Sequence, residues 1–177
     1  MKKRIPAEVV ASVLAATTVI LSLPPTNLPP WAIFISWAGT FAAGGPSKET
    51  LRKLWPVMPL GSFTAMIIVL CFRWTAPYFP GNSVIVSQMA IIFVLNASMM
   101  LLGRTKLFRF VPGMFFGFAS FFATFFGGWG PIAHNPYSAF AAVVIMNFLG
   151  PTYAWLNVKL EFPVAEEPKP LTKAANS

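Results

Sequence analysis

Aspartate is absent from this 177-residue chain, and its five acidic residues are Glu8, Glu49, Glu161, Glu166 and Glu167. Each lies at the end of an apolar run or in the C-terminal tail. Charged residues make up 10% of the chain, against roughly 25% in a soluble domain. So little charge does not cover a water-facing surface. With 56% apolar residues, the composition implies a one-domain polytopic membrane protein whose first partner is the lipid bilayer. Cys71 is the single cysteine, which excludes a disulfide framework and a cysteine-based metal site. It sits in an apolar run and reads as a small hydrophobe. His134 is the single histidine, too little for a haem, metal or pigment site. The phosphate-binding glycine loop, the H-E-x-x-H helix and the nucleophile elbow are all missing. No ionisable group lies in the middle of an apolar run, where proton- and ion-coupled carriers keep theirs. No catalytic residue, cofactor or metal is therefore assigned, and the chain is not read as an enzyme.

What is present is a series of six apolar runs, near 7–23, 31–45, 55–74, 83–103, 108–129 and 137–158. A spanning helix needs about 20 residues. The second run is shorter and is bracketed by Pro29-Pro30 and Gly44-Gly45-Pro46. The net charge of +8 suits nucleic acid in principle, but the basic residues fall in separate clusters beside the apolar runs. With the N-terminus inside, twelve of the thirteen basic residues fall on inner segments and Arg73 alone on an outer loop. That alternation follows the positive-inside rule. It predicts an all-α membrane protein with six transmembrane helices over 1–160 and both termini cytoplasmic. Residues 161–177 then form a flexible cytoplasmic tail. Lys2-Lys3-Arg4 and the following apolar run resemble a signal peptide, but no A-x-A-like site follows, so the first helix is read as retained. Arg73, near a membrane border, is expected to snorkel outward.

Two segments end alike. Thr40-Phe41-Ala42-Ala43-Gly44-Gly45-Pro46 closes the second run and Thr124-Phe125-Phe126-Gly127-Gly128-Trp129-Gly130-Pro131 closes the fifth. Three crossings leave the chain on the opposite side, so two tandem three-segment halves form a candidate 3+3 inverted repeat. The Thr-Phe pairs align at an offset of 84, whereas the stripes of small residues align best at 81. Those stripes are Ala32, Ser36, Gly39 and Ala43 in the second helix, and Gly113, Gly117, Ser120, Thr124 and Gly127 in the fifth. Each occupies one helical face. Two readings stand side by side: packing seams between helices, and polar lining of a narrow path. Ser83, Ser87, Ala90 and Ala97 in the fourth helix read as a further seam. Asn96 and Asn147 lie within apolar runs, where an amide must find partners. They are either interhelical hydrogen-bonding groups or lining for a solute. Nine phenylalanines crowd 108–126, enough for an apolar constriction that gates by dewetting. His134, in an outer loop, is either solvated or a pH sensor.

The run Ile35-Ser36-Trp37-Ala38-Gly39-Thr40-Phe41 with Gly44-Gly45, and the run Phe110-Val111-Pro112-Gly113-Met114-Phe115-Phe116-Gly117, resemble a family of small bacterial inner-membrane proteins. This is the domain of unknown function 1097 family. The resemblance covers about residues 10–160. It implies a multi-span protein of the bacterial inner membrane and brings no substrate with it. It marks Ser36, Trp37, Gly39, Gly44, Gly45, Pro112, Gly113 and Gly117 as family-pattern positions. Ala43 departs from the pattern, since some members carry Cys there, so no thiol at that position belongs to a mechanism here. The size is also similar to that of amide and urea channels, an analogy of architecture.

The expected function is a facilitative channel or uncoupled carrier for a small neutral or weakly polar solute, acting as a homo-oligomer. The expected path residues are Ser36, Trp37, Thr40, Asn96, Gly113, Gly117, Ser120, Thr124 and Asn147. Gly117→Leu is expected to block flux in a protein that still folds. The alternative is a non-transporting membrane subunit or assembly factor that uses the same seams to hold a partner complex.

Overall fold

The computed structural model describes residues 5–161. The cluster Lys2-Lys3-Arg4 and the tail beyond residue 161 lie outside the described residues. Within them the chain forms six α-helices: α1 (Ala7–Leu21), α2 (Pro30–Ala42), α3 (Lys48–Thr75), α4 (Ser83–Leu102), α5 (Val111–Phe126) and α6 (Pro136–Leu160). A 3-10 turn over Ala76–Tyr78 extends α3. No strand occurs among the described residues; one isolated bridge joins Ile5 and Glu161.

The helix limits follow from capping chemistry as much as from apolarity. α3 begins seven residues ahead of its apolar run (48 rather than 55). There the Ser47 hydroxyl accepts the Thr50 amide at 3.1 Å and Glu49 pairs with Lys53 one turn on. An N-cap of this kind stabilises a helix start by about 1 kcal/mol, so the polar first turns fold with the span. Pro56 and Pro59 lie inside this helix. α6 starts where Asn135 Oδ1 accepts the amides of Tyr137 and Ser138, each at 3.0 Å. α5 is trimmed at both ends, by Pro112 in its first turn and by Gly127-Gly128 beyond its last.

The stretches Lys48–Tyr78, Ser83–Leu102 and Pro136–Leu160 are long and apolar enough to cross a membrane. α1, α2 and α5, with 15, 13 and 16 residues, fall short of the usual length of about 20. α3 packs chiefly on α5, and α2 chiefly on α6. α4 leans on α3, α1 leans on α6 and α2, and the pairs α2–α5 and α3–α6 also touch. Three apolar clusters fill the interior. Phe121, Phe125, Met66, Val69 and Ala139 form one between α3, α5 and α6. Ile33, Trp37, Met146 and Ala154 form another between α2 and α6. Val57, Met99 and Met114 tie α3 to α4 and α5. α4 is the least covered helix, with Phe93 and Val86 exposed. Its expected seam is rotated: Ser83 and Ala90 are exposed, while Ser87, Gln88, Ile91, Leu95 and Met99 are partly or fully covered.

Candidate functional site

α2 and α5 stop in the same way. The Gly45 amide donates to the Thr40 carbonyl at 2.9 Å and the Gly44 amide to Phe41 at 3.1 Å. The Trp129 amide donates to the Thr124 carbonyl at 2.9 Å and the Gly128 amide to Phe125 at 3.2 Å. Both are Schellman closures, in which the residue just past the cap takes a left-handed conformation. Gly44 at φ 113° and Gly128 at φ 71° occupy that position, where a Cβ is disfavoured. One turn earlier, Thr40 Oγ1 donates to the Ser36 carbonyl and Thr124 Oγ1 to the Ser120 carbonyl, both at 2.7 Å. Every one of these pairs stands at the offset of 84 that joins the Thr-Phe pairs in the sequence. The closures lie at opposite ends of the bundle. That of α2 borders a cleft shared with the α4–α5 loop, and that of α5 meets the α1–α2 loop, where the Gly130 amide donates to the Asn27 carbonyl at 2.8 Å.

The small-residue stripe of α5 divides between two neighbours. Gly113 and Gly117 face α3. A Cβ on Gly117 would overlap the Met58 carbonyl, and one on Gly61 would overlap the Met114 carbonyl, with the carbonyl carbon 2.7 Å away in each case. Ser62 Oγ donates across this seam to the Gly117 carbonyl at 3.0 Å. These two glycines are closed against backbone, so Gly117→Leu breaks the α3–α5 contact and does not leave a folded bundle in which flux alone is tested. Gly39 of α2 lies under the Phe116 ring, 2.6 Å from where its Cβ would be, which is how α2 and α5 meet.

Ser120 and Thr124 face the other way. Ser120 Oγ donates to Asn147 Oδ1 of α6 at 3.2 Å. Asn147 is 2% exposed, and its Nδ2 is buried with no hydrogen-bond partner among the described residues. One turn along the same side of α6, Gly150 sits over Ser36, whose hydroxyl overlaps the place a Cβ would take, and the Trp37 amide nitrogen is 2.6 Å from that place. Ser36 donates back to Ala32 and Ile33 at 2.9 and 3.1 Å. Ser120 and Asn147 thus meet between α5 and α6, and Ser36 lies nearby against Gly150, whereas Thr40 and Thr124 lie toward opposite ends of the bundle; all five are buried. Trp37 borders this group but packs into the α2–α6 core, 5.7 Å from the Tyr153 ring. Asn96 stands apart on α4, where its Nδ2 finds Met100 Sδ at 3.9 Å and its Oδ1 is unpartnered. Gly61, Ser62 and Gly150 complete the arrangement and were not singled out by pattern; the signal for them is a glycine within an apolar run, next to a proline in the case of Gly150. Three clefts open on the surface, and none of the three is lined by the buried polar group.

At the α5 closure the α5–α6 loop is tied down. His134, at φ 54°, places Nδ1 3.1 Å from the Phe125 carbonyl. Arg73, an exposed residue, reaches this loop: its Nη2 donates to the His134 carbonyl at 2.6 Å, and its guanidinium lies 5.0 Å from the centre of the Phe125 ring. The edge-to-face pair Trp31–Trp129, with centroids 4.9 Å apart, joins the first turn of α2 to the α5–α6 loop. No cluster of His, Cys, Asp or Glu that would hold a metal occurs among the described residues.

A family model described as a protein of unknown function (DUF1097) matches residues 8–161. No curated protein and no solved structure matches the chain.

Proposed function

The chain belongs to the DUF1097 family, a description that carries no activity, and from the geometry we propose a facilitative channel or uncoupled carrier for a small neutral or weakly polar solute. Urea and short amides set the size class. In this reading six helices cross the bacterial inner membrane, α1, α2 and α5 crossing with the help of their longer neighbours, and the protein works as a multi-pass homo-oligomer. It uses no cofactor and catalyses no reaction.

One observation carries the proposal: the unpartnered Nδ2 of Asn147, buried beside the Ser120 hydroxyl. A buried amide donor without a partner costs about 1–3 kcal/mol. It would be kept where a passing solute supplies the missing acceptor. The repeat supports the same site. Exchanging α1 with α4, α2 with α5 and α3 with α6 turns the α3–α5 contact into α6–α2 and the α3–α4 contact into α6–α1, both of which exist. The two matched closures at opposite ends are what an inverted repeat requires, and short interrupted segments in corresponding places are the usual pointer to a transport site. Stopped-flow light scattering on proteoliposomes tests the reading with urea, acetamide, glycerol and water against empty liposomes. Faster equilibration of one solute, lost in Asn147→Leu, is the expected result. Unchanged permeability across the panel removes transport.

The second reading, a membrane subunit or assembly factor, draws on α4. This helix touches α3 but leaves Phe93 and Val86 uncovered. A stoichiometric foreign partner after mild solubilisation favours that reading; a clean homo-oligomer favours the channel.

A further inference from the structure

Two basic clusters that lie far apart in the sequence share one cleft. Arg52 and Lys53 come from the first turns of α3, and Lys106 and Arg109 from the loop between α4 and α5. They surround a space of about 500 Å³, within the roughly 300–1,000 Å³ of small-molecule sites. A rule that keeps basic loops on one side of a membrane asks only that both clusters lie at one end of the bundle. It does not ask them to converge. Glu49 is the one carboxylate in the lining, and it pairs with Lys53 at 2.6 Å. Arg52, Lys106 and Arg109 have no carboxylate partner among the described residues. Guanidinium forks match the oxygens of a phosphate two at a time. Leu107 and Phe110 add apolar wall beside the charges, which a free inorganic ion would leave unused.

We propose that this cleft binds a phosphate-bearing anion, the headgroup of an anionic phospholipid whose acyl chain lies against Leu107 and Phe110. Basic pockets between membrane helices are suited to such headgroups. The site is separate from the buried polar group around Asn147 and does not depend on transport.

Native mass spectrometry of the full chain in neutral detergent tests it, with phosphatidylglycerol and phosphatidylcholine added at equal amounts. The wild-type chain is expected to retain phosphatidylglycerol in preference. Arg52→Gln/Arg109→Gln should lower that preference by about tenfold or more, the effect of losing charge-assisted hydrogen bonds. Arg104→Gln, a basic residue of the same loop outside the cleft, should leave it unchanged. Thermal melting without lipid verifies that each variant is folded, and Arg109→Gln alone serves if the double variant is not. Displacement of phosphatidylglycerol by millimolar inorganic phosphate would keep the phosphate site and overturn the lipid as its source. No preference for phosphatidylglycerol, or an equal loss in Arg104→Gln, would overturn the site itself.

Discussion

The α3–α5 and α2–α6 seams are the two most extensive helix contacts in the bundle and are built differently. In the first, Gly61 and Gly117 each lie against a carbonyl of the facing helix, so backbone meets backbone. In the second, Gly150 of α6 lies against a side chain, the Ser36 hydroxyl, as well as the Trp37 amide. Glycine contacts let membrane helices approach until dispersion and weak polar contacts hold them together. A seam of backbone has nothing that can turn aside. Ser62 borders the first seam too, but there a carbonyl fills the Cβ place of Gly117, whereas at Gly150 the Ser36 hydroxyl fills it, a group with rotamers and hydrogen-bonding choices. The difference places adaptability on the α6 side, beside Asn147, and rigidity on the α3 side.

The largest test breaks the rigid seam. Gly61→Leu or Gly117→Leu should abolish the folded monomer, seen as loss of a monodisperse peak in size-exclusion chromatography. The alanine variants should cost at or beyond the top of the roughly 1–3 kcal/mol range of overpacking, measured by denaturant unfolding in detergent. Folded Gly117→Leu with normal melting would mean that α3 and α5 do not meet through that face. The next test separates the seams. Gly150→Ala should be destabilised, and Ser36→Ala should recover part of the loss, because removing the hydroxyl vacates the space the new methyl needs. No recovery in the double variant would make the two seams equivalent.

Smaller in stability but sharper in function is Asn147→Leu. It removes the unpartnered amide but leaves the buried Ser120 hydroxyl without its acceptor, so it is made with Ser120→Ala, and the double variant, with both partners replaced, should change little in melting temperature. Solute flux should be lost. A stable variant that keeps full flux makes Asn147 a structural residue. The smallest expected effect compares the halves directly. Thr40→Val and Thr124→Val each delete one hydroxyl bond to the preceding turn, worth about 0.5–1.5 kcal/mol at most, and the two losses should agree. A large difference would show that the matched closures do unequal jobs.

Much of the architecture was legible in the apolar runs. Each run became a helix, and the glycines after Thr40 and Thr124 marked the two closures at the right residues. An apolar average does not register a polar helix start, so the first turns of α3, held by Ser47 and Glu49, were missed. Nor does it fix helical rotation. The α5 stripe read as one face, but Gly113 and Gly117 turn to α3 while Ser120 turns to Asn147. The two offsets then make sense. Backbone closures and threonine bonds repeat at 84, and they are local; seam residues need only be small, and they drift with whichever helix they touch. Asn96 and Asn147 looked equivalent as amides in apolar runs. Their difference comes from the helix that carries them, since α4 lies at the edge and α6 at the centre. Membership of the family and a helical membrane protein were both readable from the sequence. Convergence of the two basic clusters was not, because it depends on how two loops fold toward each other.

The bond from the Gly130 amide to the Asn27 carbonyl ties together two loops that lie far apart in the sequence. Together with the Arg73–His134 contact it laces the α1–α2, α3 and α5–α6 loops into one unit. At the opposite end the basic cleft separates the α2–α3 turn from the α4–α5 loop. In hydrogen–deuterium exchange the Gly130 amide should therefore be among the last loop amides to exchange, well after those of the α4–α5 loop. The order of those two signals would report, without any ligand, from which side the polar interior meets water first.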